Sequence, residues 1–239
     1  MSVERIDKIL SSQNIGSRSK IKSMVKAGRI TADGIIVKKP EEKFDLNKTV
    51  ICIDGKELVF KKHIYIMMNK PAGVLSATND RYAKTVIDIL PNELKRRGLF
   101  PAGRLDKDTE GLLLITDDGE LAHKMLAPKN HVYKLYEAVT DKILTDDDVQ
   151  AFENGIKYGE TECLPAKMKI ISEKTALVEI CEGKFHQVKN MFNAIGANVI
   201  FLKRLRIGEL YLDDSLKPGE VRELDTKEIM YVLSRKQGI

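Results

Sequence analysis

Three cysteines among 239 residues, Cys52, Cys163 and Cys181, are too few and too scattered for a disulfide framework. No two of them stand at the Cys-x-x-Cys spacing of a zinc knuckle, and a reducing cytoplasm suits such a chain. Apolar runs are short, with none near the roughly 18–20 residues that a membrane helix requires. The opening MSVERIDKIL lacks the apolar stretch of a secretory leader and reads instead as a helix. There is no phosphate-binding P-loop and no nucleophile elbow. His63, His123 and His131 have no partners at the spacing of a catalytic triad. Internal repeats and low-complexity segments are also missing.

What is present is a chain with 43% hydrophobic and 31% charged residues, the balance of a globular protein long enough to bury its own core. Its net charge of +5 is modest, but it is unevenly spread. Residues 1–60 hold 12 Lys and Arg against 8 Asp and Glu, whereas residues 61–239 hold 28 against 27. A basic excess concentrated in the first quarter of a chain is the electrostatic footprint of a polyanion partner, although a solvated surface face would also account for the charge alone.

Two units are legible. In the first, residues 1–60, Val3, Ile6, Ile9 and Leu10 recur at helical spacing, and Gly16 follows as a stop. Ser17 is a fitting N-cap for a second helix with Ile21, Met24 and Val25 on its inner face and Gly28 at its end. Arg18, Lys20, Lys22 and Lys26 load that helix with positive charge. Short strands follow at Arg29–Thr31, Ile35–Val37 and Val50–Ile53, separated by turns. Lys61-Lys62-His63 reads as a junction.

In the second unit, residues 61–239, the spacing predicts strands at Ile64–Met68, Leu112–Thr116, Tyr133–Thr140, Lys167–Ile171, Ala176–Ile180 and Val199–Ile207. It predicts helices at Thr85–Leu90, Glu120–Leu126 and Gln187–Ile195. Strands and helices do not alternate regularly, so the class expected is α+β with a largely antiparallel, mixed sheet flanked by helices.

The segment richest in chemistry is Gly103-Arg104-Leu105-Asp106-Lys107-Asp108-Thr109-Glu110-Gly111, a charged loop running into the apolar strand Leu112–Thr116. Reactive groups on a loop carried by a buried strand are well placed for catalysis. Counted from Asp106 the loop mimics a calcium-binding loop. Pro101 and Gly103 spoil the entering helix, however, and Leu114 and Asp117 stand where the ninth and twelfth ligands should be.

These residues resemble known families. The first unit, through R-I-D-K-I-L and S-R-S-K-I-K-S-M-V-K-A-G-R-I-T-A-D-G, resembles the S4 RNA-binding domain. That likeness implies that Arg18, Lys20, Lys22 and Lys26 touch RNA phosphates, contacts that position without reading sequence. The stretch G-R-L-D-x-x-T-x-G-L-L-L-I-T resembles the signature of pseudouridine synthases of the RsuA/RluA superfamily. Asn69-Lys70-Pro71-Ala72-Gly73 resembles that superfamily's K-P-x-G loop, and E-G-K-F-H-Q-V-K-N-M-F resembles its third motif. An S4 domain ahead of such a domain is similar to the RsuA branch, whose substrate is small-subunit ribosomal RNA.

The resemblance implies an RNA-modifying isomerase, with Asp106 as catalytic carboxylate, Lys189 as the cation paired with it and Tyr136 as the ring that stacks on uracil and could take its C5 proton. Ala138 departs from the superfamily's usual Val two residues after that tyrosine. Arg104, two residues before Asp106 on an extended loop, points the same way and is a candidate to hold a phosphate or the extruded nucleotide; Lys70 of the K-P-x-G loop and Gln187 are further substrate-contact candidates, and for Gln187 and His186 packing at a helix start is the alternative. The resemblance implies no metal and no cofactor, a monomer in the cytoplasm, and a partner that is ribosomal RNA or an assembly intermediate of the ribosome. A large-subunit uridine, or an assembly factor without catalysis, is the competing expectation. The chemistry is self-consistent: a carboxylate can attack an electron-poor anomeric carbon, and the detached base is both leaving group and returning nucleophile. The base must first swing out of its stack, which points to a target in an unpaired loop or an incompletely folded particle.

Overall fold

The computed structural model describes residues 3–46, 48–235 and 238–239, and the chain divides into two compact units. One unit is Met1–His63 together with Pro91–Leu99, and the other is Ile64–Leu90 with Phe100–Ile239.

The first unit opens with the two-residue strand β1 (Glu4–Arg5), then α1 (Ile6–Ser12) and α2 (Arg18–Lys26). Met1 and Ser2, read as the start of a helix, lie outside the described residues; the helix itself begins at Ile6, and Val3 is exposed. Ile6, Ile9 and Leu10 of α1 meet Ile21, Met24 and Val25 of α2 in one core. Each such burial stabilises by roughly 1.5–3 kcal/mol. The Ser17 side chain caps α2 by accepting from the Lys20 amide at 3.2 Å. The Arg5-Ile6-Asp7 pattern also has a physical purpose. Burial alone would raise the pKa of Asp7, but the two-pronged hydrogen bond and charge of Arg5, with the Lys8 amide and the charge of Arg18, together outweigh it and hold the carboxyl below its ordinary value.

Strands β2 (Ile30–Ala32), β3 (Ile35–Ile36), β5 (Ile51–Ile53) and β6 (Lys56–Glu57) form a small sheet in the order β3-β2-β5-β6, and β4 (Lys43–Phe44) pairs with β1. Pro91–Leu99 joins this unit through hydrogen bonds from Asn14 to the Asn92 carbonyl and from Arg96 to the carbonyls of Lys61 and Lys62.

The second unit contains β7 (Tyr65–Lys70), β8 (Phe100–Ala102), β9 (Glu110–Thr116), α3 (Gly119–Leu126), β10 (Lys134–Thr140), α4 (Asp146–Asn154), β11 (Lys157–Tyr158) and β12 (Thr161–Glu162). After these come β13 (Lys167–Ser172), β14 (Thr175–Ile180), α5 (Gln187–Ala194), β15 (Val199–Ile207), β16 (Leu210–Tyr211), β17 (Val221–Glu223) and α6 (Thr226–Val232). A nine-stranded sheet runs β13-β14-β10-β15-β9-β7-β17, with β16 on β15 and β8 on β9. Only the β15–β9 pairing is parallel among the described strands, so the sheet is mixed and largely antiparallel. The fold is α+β, as the irregular alternation of elements implies.

Met67, Leu112 and Leu114 of the central strands pack with Leu121, Ala122 and Met125 of α3 and with Val232 of α6. Among the described residues no helix is long and apolar enough to cross a membrane.

One expected helix is absent. Thr85–Leu90 is a run of hydrogen-bonded turns in which the Asp88 carboxylate accepts from both the Thr85 amide and its hydroxyl, each at 2.9 Å. Six residues before Pro91 are too few to offset helix nucleation, and the local side-chain bonds compete successfully.

Candidate active site

The loop that carries Asp106 connects β8 to β9, two strands that pair antiparallel from Phe100–Thr116 to Ala102–Leu114. Its exit is set by Gly111, with φ +98°, where a Cβ would lie 2.2 Å from the Arg204 carbonyl oxygen. Only glycine lets β9 approach β15 this closely at their parallel contact. Thus the Gly111 of the motif is a geometric requirement of the strand that follows the loop.

The segment after β7 holds the loop still. The Ser76 hydroxyl accepts from the Leu105 amide at 3.1 Å and donates to the Leu105 carbonyl at 2.9 Å. Gly73 donates its amide to the Lys107 carbonyl at 2.7 Å. Lys70 Nζ donates to the carbonyls of Pro71, Lys107 and Thr109 at 3.0, 3.2 and 2.9 Å. The peptide groups on either side of Asp106 are therefore pinned by the first motif.

This corrects the expectation for Lys70. Its side chain is wholly buried, and each of its three N–H donors has a backbone carbonyl, so it has neither the exposure nor the free valence to touch substrate. Burial lowers its pKa to about 8, partly countered by Asp108, Glu110 and Asp106.

Asp106 keeps about a quarter of its side chain exposed. Lys189 Nζ, one turn into α5, lies 3.2 Å from Asp106 Oδ2 and donates to Asp108 Oδ1 at 2.6 Å. Burial pushes the Lys189 pKa down, but the hydrogen bonds to Asp108 and Asp106 outweigh it and the net shift is upward. The bond from Lys189 holds Asp108 below the usual carboxylate range against the opposing effect of burial. The two carboxylates that mimic a calcium loop thus share an ammonium group. His186 Nε2 stands 3.3 Å from Asp106 Oδ1, on the opposite oxygen from Lys189.

Tyr136 lies on β10 opposite Arg204 of β15, and Arg204 in turn pairs with Gly111 of β9. Register therefore sets the tyrosine at the level of the sheet where the Asp106 loop ends. The ring is 8% exposed, and Arg204 Nη1 donates to its hydroxyl at 3.5 Å. Arg204 Nε donates to the Leu112 carbonyl at 2.7 Å, while Nη2 is buried without a partner among the described residues. Lys134, two residues before Tyr136 on the same face, is also buried; it donates to the Val132 carbonyl at 2.9 Å. Burial, and then the charge of Arg204, bring its pKa to about 8.

Sequence reasoning missed Arg204, Lys134 and Asp108. Asp108 carried a signal, since residues two apart on an extended loop point the same way. The other two are strand residues whose burial no local pattern reveals.

Gln187 is the second correction. It is 4% exposed, and its amide is spent within the turn before α5, accepting from the Lys184 amide at 3.0 Å and donating to Glu182 Oε2 at 3.1 Å. It is a staple of the turn. Arg104 is exposed, as are Arg18, Lys20, Lys22 and Lys26 on α2. Arg18, Lys22 and Lys26 follow one another at four-residue spacing along one row, whereas the Lys20 stem lies against Gly16 on another flank.

The loop thus carries a carboxylate ion-paired with a helix lysine, with a buried strand tyrosine in register with the loop's exit, and comparison with known proteins supplies the class. Residues 64–194 match the RNA pseudouridylate synthase family, and residues 4–50 match the S4 domain. The chain belongs to the RNA pseudouridylate synthase family, with an S4 domain at its N-terminal side. It is 44% identical to an uncharacterized RNA pseudouridine synthase, YtzG, of Bacillus subtilis, over 98% of this chain and 100% of that one. It is 40% identical to ribosomal small subunit pseudouridine synthase A of Vibrio cholerae, over 94% and 97% of the two chains. A pseudouridylate synthase crystal structure superposes with a TM-score of 0.68 at 32% identity, covering 96% of this chain and 99% of that one.

Proposed function

We propose that this chain converts one uridine of small-subunit ribosomal RNA to pseudouridine, with Asp106 as the group that engages the ribose. The observation that carries the reading is the Asp106 carboxylate, fixed by backbone bonds on both sides and ion-paired with Lys189 at 3.2 Å. Lys189 places a positive charge beside the carboxylate that engages the anomeric carbon.

In the reaction the Asp106 carboxylate engages C1′ as the bond from C1′ to N1 of uracil breaks. The base turns, C5 bonds to C1′ as the carboxylate leaves it, and the C5 proton is lost while N1 gains one, so atoms balance without any co-reactant. Tyr136 stacks on the extruded base and relays the C5 proton, its oxygen taking that proton as the hydroxyl gives up its own, while Arg204 donates to the same oxygen. Arg104, exposed two residues from Asp106, holds backbone phosphate near the site. The basic row of α2 gathers further phosphates without reading sequence.

The choice of the small subunit is supported by relatives such as the Vibrio cholerae enzyme, which carry that substrate in their names. On this reading the protein acts as a cytoplasmic monomer on protein-free RNA or early assembly particles, where the target base is unpaired.

The test is to incubate wild type and Asp106→Asn with small-subunit and large-subunit rRNA transcripts and map pseudouridine in each. One new pseudouridine in the small-subunit transcript, lost in Asp106→Asn while RNA binding is kept, is the expected result. A site in the large-subunit transcript alone would move the substrate. Modification that survives Asp106→Asn would remove the proposed mechanism.

A further inference from the structure

The turn Glu182–Gln187 presents a phenyl ring to solvent beside the catalytic carboxylate. Phe185 is 77% exposed. One face of its ring stacks on the His186 imidazole, with centroids 3.8 Å apart and planes 19° from parallel. That imidazole is itself 3.3 Å from Asp106 through Nε2. The order outward from the carboxylate is therefore imidazole, phenyl, solvent.

A single exposed phenylalanine needs no explanation; this one is held in place. His186 adopts a left-handed backbone with φ 48° and ψ 32°, a region that costs a residue other than glycine some free energy. The turn maintains that conformation through Gln187, bonded to both the Lys184 amide and Glu182, and through Asn190 Nδ2, which donates to the Phe185 carbonyl at 3.1 Å. Glu182 is anchored in turn by the Leu164 amide and Lys184. A hydrogen-bonded network in the turn thus supports a ring that makes no use of the core.

We propose that the open face of Phe185 is the stacking platform for the nucleotide next to the target uridine. The inference rests on the functional reading above and deepens it. Swinging one base out of a strand leaves its neighbour with an unstacked face. A fixed ring beside the pocket replaces the lost stacking, and it accepts any base because every base has a π-face. Phe185 therefore supplies affinity and holds the strand open, while the chemistry stays with Asp106.

The experiment compares wild type, Phe185→Ala, Phe185→Tyr and Phe185→Trp, each as the full chain, on the small-subunit transcript. Phe185→Ala is expected to raise KM by about 5- to 100-fold, the range of one base–aromatic stack, with kcat unchanged. Tyr and Trp at this position restore KM. Because the ring is in water, thermal unfolding of all three variants should match wild type.

Once the modified uridine is mapped, transcripts lacking the base on one or the other flank locate the partner. Removing the stacked base raises KM for wild type by the same factor, and it has no further effect on Phe185→Ala. A wild-type KM in Phe185→Ala overturns the proposal, as does a variant that responds to both abasic flanks as wild type does. If wild type modifies no uridine in any transcript, the underlying function fails instead, and the platform falls with it.

Discussion

Lys70 and Lys134 are both buried lysines with pKa values lowered to about 8, yet they are not equivalent. Lys70 has three carbonyl partners, two of them on the Asp106 loop, whereas Lys134 has one carbonyl and lies near the Arg204 charge. Lys70→Met takes a donor from the carbonyls of Pro71, Lys107 and Thr109, of which Lys107 keeps the Gly73 amide, and should destabilise the fold by about 1–3 kcal/mol. It should also lower kcat at least about tenfold by loosening the Asp106 loop, since a small misplacement can cost that much or more. RNA affinity, measured by filter binding, should stay as in wild type.

Lys134→Met goes the other way, because it removes a charge that the interior disfavours. The shift from 10.5 to about 8 corresponds to roughly 3 kcal/mol of burial penalty at pH 7. Above pH 8 the folded lysine is neutral while the unfolded one still binds its proton, so wild-type stability gains as pH rises toward 10.5. Denaturant unfolding should find Lys134→Met more stable than wild type at pH 7 and the difference smaller at pH 9.5. A gap that widens with pH would refute the assignment. That such a cation persists beside Tyr136 fits a residue kept for function at the expense of stability.

At the scale of elements, the Asp106 loop and the segment after β7 act as one piece, joined by Ser76, Gly73 and Lys70. Among the described residues, Ser76→Ala removes the side chain that bonds both the amide and the carbonyl of Leu105 and leaves both without a partner. The expected result is a loss of about 1–3 kcal/mol in stability and a fall in kcat larger than any change in KM. If kcat is unaffected while stability drops, the loop does not need this anchor for chemistry.

The same elements show what the sequence discloses. The G-R-L-D loop and the apolar β9 were legible because each is a local pattern, whereas the reason for Gly111, the close approach of β15, is not local. The roles of Lys70 and Gln187 were not, because both side chains turn inward to distant backbone or to their own turn, and motif membership says nothing of direction. Helices α4 and α6 went unread although both carry capping boxes, Thr145 with Asp148 and Asp225 with Glu228. Conversely, Thr85–Leu90 had apolar residues at plausible spacing but too little length. Burial of Arg204 arises from β10 and β9 flanking β15, a non-local pairing that no window of sequence contains.

For the whole molecule, the uneven charge of the sequence finds its counterpart in the exposed row Arg18, Lys22 and Lys26. Arg29, in contrast, is already engaged by Asp54, with both prongs of the guanidinium on the carboxylate. Lys20 lays its stem against Gly16 and belongs to a different flank. The three-residue row is thus one part of the basic excess placed to release counterions from RNA.

Deleting residues 1–60 would be a poor test, because Pro91–Leu99 packs with that unit and would lose its partners. Replacing Arg18, Lys22 and Lys26 together with Gln keeps the helix and its buried face intact. Each phosphate contact adds about 0.7–0.9 to the slope of log affinity against log salt, so the triple variant should flatten that slope by about 2 to 3. Affinity should fall for every RNA alike, since phosphate contacts carry no sequence information. Maximal turnover at saturating RNA should be retained, because Asp106, Lys189 and Tyr136 are untouched. A slope identical to wild type would mean that the row faces water in the complex and that RNA is held elsewhere.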